Sequence, residues 1–189
     1  MFQQFDRLFC GMLFVAFGGV IEGLGGLLVA FGYIAVALAC RDLAQYSAKF
    51  SQVQRLCLFF AVLSVTGTVM ITGSSVLLAI PIALMQLLMT WQLLHGIAEF
   101  SRNHDAPQLA ESADWRRRAY LIVNVISAVA LLFIVLISMG FGDVHPSLIF
   151  AAMIPAWATG LMVLHLLYLM RLRFAEKKPT FASSELSPE

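Results

Sequence analysis

Long apolar runs decide what this chain can fold into. They extend over Leu8–Cys40, Leu56–Thr72, Val76–Ala98, Ala119–Met139 and Leu148–Met170. A run of about twenty residues spans roughly 30 Å as a helix, the thickness of a bilayer's hydrocarbon core. A soluble helix would alternate apolar and polar faces every 3.6 residues. These runs are apolar on every face, so lipid is the better solvent. Composition agrees: 60% of the 189 residues are hydrophobic and 12% charged, where soluble domains carry about 25% charge. The mean hydropathy is +0.86.

The fold class read from this pattern is all-α, a polytopic transmembrane helix bundle. It has five spanning helices and a short N-terminal re-entrant or interfacial helix. The short helix covers about 5–17, and the spans about 21–40, 55–73, 76–98, 117–140 and 147–171. Residues 1–174 form the membrane domain. The segment 175–189 is polar, with two prolines and several serines, and reads as a disordered cytoplasmic tail.

Basic residues set the orientation. Arg41, Lys49 and Arg55 lie in one loop, and Arg102, Arg116, Arg117 and Arg118 in another. Arg171, Arg173, Lys177 and Lys178 follow the last run. Gly73–Ser75 and Gly140–Pro146 contain none. The positive-inside bias therefore places these loops and the C-terminus in the cytoplasm, and the expected location is a bacterial plasma membrane. Ala37-Leu38-Ala39-Cys40 resembles a lipoprotein processing site. Its apolar lead is too long for a signal peptide, and cleavage would put Arg41, Lys49 and Arg55 outside.

The first run poses a topological question. As one helix it would be about 50 Å long, too long for an upright span. Gly18, Gly19, Gly23, Gly25 and Gly26 cluster in its middle around Glu22. Each interior glycine weakens a helix by roughly 1 kcal/mol, so a break there leaves the N-terminus cytoplasmic. The rival is one tilted helix, favoured by the seven-residue recurrence of Gly11, Gly18, Gly25 and Gly32.

The first sixty residues carry Leu8-Phe9-x-Gly11-Met12-Leu13-Phe14-Val15, then Phe31-Gly32-Tyr33-Ile34, then Arg41-Asp42-Leu43 to Phe50. This text resembles a group of uncharacterised bacterial multi-span membrane proteins. The resemblance implies an N-terminal helical hairpin and no activity. In that group the turn often reads D-x-L-P-D; here Glu22-Gly23-Leu24-Gly25-Gly26 stands in its place.

Polar residues inside apolar runs are costly and often functional. Glu22 is a cation or proton site, or a carboxylate solvated near the outer interface. Gln86 and Thr90 lie on one side of the third run. Gln92, His95 and Glu99 lie on another, at spacings of three and four. They form either a cytoplasm-facing pocket or an end layer bonded across helices. His165 on the last run lies at similar depth, and with His95 and Glu99 it would make a metal set; two ligands alone are too few for zinc. Asn124 and Ser127 fall in the same layer. Ser64, Thr68 and Thr72, like Ala152, Ala156 and Gly160, recur every four residues, the pattern of helix–helix packing stripes.

No enzyme signature is present: neither H-E-x-x-H, nor G-x-S-x-G, nor a phosphate loop. No cofactor, metal or catalytic residue is expected. A net charge of +1 without a basic–aromatic patch excludes nucleic acid as a partner. Cys10, Cys40 and Cys57 are scattered and odd in number, which disfavours a disulfide framework. The expected partners are the bilayer, a second copy, or another membrane protein. The first functional reading is a non-enzymatic accessory, regulatory or assembly subunit acting through helix packing. A small transporter or channel subunit using the polar third helix is the alternative. A membrane-embedded lipid-acting enzyme is the second alternative.

Overall fold

The computed structural model describes residues 2–18, 24–70, 76–141 and 146–176. Six helices account for nearly all of them: α1 (Phe2–Phe17), α2 (Gly25–Leu43), α3 (Ala48–Met70), α4 (Val76–Asn103), α5 (Pro107–Phe141) and α6 (Pro146–Glu176). Among the described residues there is no strand. Glu22, Thr72, Gly73–Ser75 and the tail beyond Glu176 lie outside the described residues, as do the side chains of Thr68, Ala152 and Ala156.

Local chemistry explains the helix boundaries at one end of the bundle. Ser47 caps α3, its hydroxyl accepting the Lys49 backbone N–H at 3.1 Å. After α4, Asp105 takes a left-handed conformation (φ 55°). Ala106 N–H then bonds back to the Ser101 carbonyl at 3.0 Å, a Schellman-type closure. Pro107 and Pro146 open α5 and α6, where the missing proline N–H has no intrahelical partner to lose.

Each helix packs on its neighbours in sequence, and α1 packs on α6, so the six close into a ring. α1 and α2 fold back on each other. Arg7 reaches Asp42 at 3.7 Å, Gly11 lies on Gly32 and Val36, and Gly18 lies on Leu28 and Val29. A single continuous helix over 8–40 could not bring these together. Gly11 and Gly32 thus face one another across an antiparallel pair, where absence of Cβ lets the backbones touch.

The two ends of the described chain meet at one end of the ring. The Phe5 and Phe174 rings stack at 5.5 Å, and Phe5 meets Phe100 edge-on at 5.2 Å. Around them Leu43, Phe50, Leu93, Ile97, Leu166 and Met170 are fully buried. Ion pairs gather at this same charged end: Asp42 with Arg7, Arg171 with Asp6 at 2.8 Å, His95 with Glu99 and Arg102 with Asp114.

The bundle is also apolar outside. Phe31, Val62, Ile126, Phe133 and Ile154 are each more than 60% exposed. Keeping such side chains in water forgoes about 2 kcal/mol each. Three described segments are long and apolar enough to cross a membrane: Gly25–Leu43 and Pro107–Ile134, both of mean hydropathy 1.7, and Trp157–Ala175, at 1.3. The chain is therefore a helical bundle with membrane-crossing capacity.

Candidate functional site

The polar side of α4 meets α3 and α5 at the charged end. From α4, His95 Nε2 lies 2.9 Å from Glu99 Oε1, one helical turn apart. The other Glu99 oxygen accepts a hydrogen bond from the Ser47 hydroxyl, so the residue that caps α3 also ties α3 to α4. Across the ring, Arg117 of α5 lies 2.7 Å from His95 Nδ1. These contacts define the imidazole. Arg117 only donates, so Nδ1 accepts and Nε2 carries the proton that goes to Glu99.

Arg117 is also held by Asp114 at 3.2 Å, and Asp114 binds Arg102 of α4 with its other oxygen. The Arg117 guanidinium lies 4.8 Å from the Trp91 ring centroid, a cation–π distance. The result is one ladder, Ser47–Glu99–His95–Arg117–Asp114–Arg102, crossing three helices. The Ser47 hydrogen bond, aided by His95 and Lys49, holds the Glu99 carboxyl below the usual carboxylate range against the opposing effect of burial.

A second polar contact ties α5 to α6. Arg116 donates to the Met162 carbonyl at 3.2 Å and to His165 Nδ1 at 3.1 Å. Deeper, Asn124 donates to the Thr159 hydroxyl at 3.3 Å, while the buried Ser127 hydroxyl has no hydrogen-bond partner among the described residues.

The sequence candidates therefore separate. His95 and Glu99 come together, and His165 pairs with Arg116 instead. Among the described residues no group of three histidine, cysteine or acidic side chains is placed to hold a metal ion. Gln86 is exposed on the outer surface, away from the ladder. Gln92 is half-buried, and its Oε1 has no hydrogen-bond partner among the described residues. Ser64 bonds its own helix at the Phe60 carbonyl, at 2.8 Å. A Cβ at Gly160 would meet nothing within 4 Å, so no described residue packs closely on that glycine. Sequence reasoning missed Ser47, Asp114 and the pairing roles of Arg116 and Arg117. The serine before an apolar run and the acid three residues ahead of an arginine were the available signals.

Chemically the ladder is a clamp. The Ser47 proton goes to a carboxylate rather than to a histidine base, so serine and histidine are not arranged as nucleophile and base. Two cavities flank the ladder on the α4–α5 seam. One, of about 450 Å³, is lined by Arg102, Glu111, Asp114, Trp115 and Arg118. The other, of about 320 Å³, is lined by Leu84, Leu87, Leu88, Trp91 and Leu121. No family model, no curated protein and no solved structure matches this chain.

Proposed function

We propose that this chain is a non-enzymatic integral membrane protein, an accessory, regulatory or assembly subunit that works through helix–helix packing. The observation that carries this is the outer face of α6. Ile154, Trp157 and Leu161 are exposed there, and Gly160 opens onto empty space. Small residues serve close helix approach in membranes; at Gly160 no described residue makes that approach. A second copy or a partner membrane helix is the fitting occupant.

In the membrane, the five long helices α2–α6 span, with the basic loops and the C-terminus cytoplasmic. α1 has sixteen residues, about 24 Å, and makes the short return pass that brings the N-terminus to the charged face. An N-terminal helical hairpin is also what the resemblance of the first sixty residues to a bacterial multi-span group implies.

Crosslinking in membranes followed by native mass spectrometry tests this. A discrete oligomer or stoichiometric complex, lost on Gly160→Leu, is expected. A strictly monomeric, partnerless chain overturns it. The transport reading draws on His95 and Glu99, both about one-third exposed at the charged end. Solute flux in proteoliposomes that stops on Glu99→Gln would replace the packing reading with it.

A further inference from the structure

The two cavities on the α4–α5 seam follow one another along the helices. Trp91 and Leu121 line the apolar one. One turn further toward the charged end of α5, Arg118 lines the polar one, and two turns beyond it Glu111 does too. Of the other charges on that cavity, Asp114 is occupied by Arg102 and Arg117. Arg118 and Glu111 form no ion pair among the described residues, with each other or with anything else, and both are exposed. Trp115, 62% exposed on the same wall, is an interfacial anchor by type and position.

From apolar to charged end, the seam therefore presents leucines and tryptophan, then a free guanidinium, then a free carboxylate. A phospholipid whose headgroup is a phosphate followed by a primary ammonium presents the complementary order: acyl chain, anion, cation. A guanidinium binds phosphate oxygens through paired N–H donors, and a carboxylate accepts the N–H bonds that only an unsubstituted ammonium offers. A purely anionic headgroup would bring its charge against Glu111. A quaternary ammonium would bring methyl groups there instead of donors. Basic pockets between membrane helices are established headgroup sites; the distal acid makes this one selective.

We infer that the α4–α5 seam binds a phosphatidylethanolamine-type lipid, with its acyl chain against Leu84, Leu88 and Leu121, its phosphate on Arg118 and its ammonium on Glu111. This rests on the membrane reading but not on the oligomer.

The full-length protein, extracted in mild detergent, is exposed to equal amounts of dioleoyl phosphatidylethanolamine, phosphatidylcholine and phosphatidylglycerol. Retained lipids are then counted by native mass spectrometry. The ethanolamine lipid is expected in about fivefold excess over each of the others, the worth of one charge contact near the membrane surface. Glu111→Gln should abolish that preference, and Arg118→Gln should lower retention of all three. Arg55→Gln, an exposed arginine on α3, should change neither. Free phosphoethanolamine in excess should not compete, because it lacks the acyl chain.

Equal retention of the ethanolamine and choline lipids overturns the inference, as does a preference that survives Glu111→Gln. Higher retention of the glycerol lipid overturns it too. Competition by free phosphoethanolamine would mean a soluble-ligand site and also overturn it. Carbonate extraction of cell membranes separates the two failures. A chain released by carbonate refutes the membrane reading itself, and a chain that stays embedded without lipid preference refutes only the seam.

Discussion

Two seams of the ring are built in opposite ways. Between α1 and α2, backbone meets backbone, and a Cβ on Gly32 would sit 2.7 Å from the Gly11 carbonyl oxygen. Between α4 and α5 the helices are joined by long side chains, through Arg117 to His95 and Arg102 to Asp114, with cavities on either side. Lipid tails are as apolar as leucine, so helices in a bilayer gain little from burying apolar surface against each other. Close van der Waals approach and polar bonds remain as the two means of association. The first leaves no room between the helices. The second joins them through side chains, and two cavities lie along that seam.

The contrast breaks most easily at the glycines. Gly32→Val should destabilise the folded protein by about 3 kcal/mol, since the methyl groups meet backbone that cannot move aside. The readout is thermal unfolding in detergent, followed by dye labelling of the buried thiols Cys40 and Cys57. Gly160→Val, with open space around it, should change stability by less than about 0.5 kcal/mol. Equal losses in the two variants would mean that the α1–α2 seam is not closed by glycine.

On the ladder side, Asp114→Asn releases both Arg102 and Arg117 and should cost about 2 kcal/mol, the worth of charge-assisted bonds in partial burial. Unfolding by the same labelling assay measures it, and a neutral result would make the ladder ornamental. Gln92→Met should be neutral or stabilising by up to about 1 kcal/mol, because it removes a buried carbonyl that lacks a partner. A loss above 1 kcal/mol would show that the amide has a partner in the membrane.

The asymmetry between seams also governs what could be read beforehand. The glycine repeat was visible in the sequence, but a seven-residue repeat suits one helix or two facing ones equally. Only the fold-back shows that Gly11 and Gly32 touch. The α4 face of Gln92, His95 and Glu99 was legible from spacing alone, because i, i+3 and i+4 residues share a helix face. Its partners were not, since Ser47 lies 52 residues from Glu99 and Arg117 lies 22 from His95. Helix-period reasoning stops at the end of one helix. Gln86 shows the same limit from the other direction: it is polar and on α4, yet it is exposed.

The subtlest test of the comparison is pH, because the ladder holds a carboxyl displaced from its usual range. Glu99 lies just beyond the 76–98 apolar run, at the end of α4, and its carboxyl is held below the usual range chiefly by Ser47. A carboxylate with a folded-state pKa below its unfolded value, about 4.3, binds fewer protons when folded. Its contribution is therefore complete above that value and disappears as pH falls through the folded one. The stability gap between wild type and Glu99→Gln should stay constant from pH 7 to about pH 5 and then narrow with acidification. Ser47→Ala should shrink that gap above pH 5 and flatten its narrowing, because without the hydrogen bond that most favours the ionised form the folded carboxyl titrates closer to the unfolded one. Unfolding curves across pH 3.5–7 measure this, with Gly32→Ala, which touches only the glycine seam, keeping a pH-independent gap. A Glu99→Gln gap that persists unchanged at pH 3.5 would mean that the Ser47–Glu99–His95 contacts do not join α3 to α4.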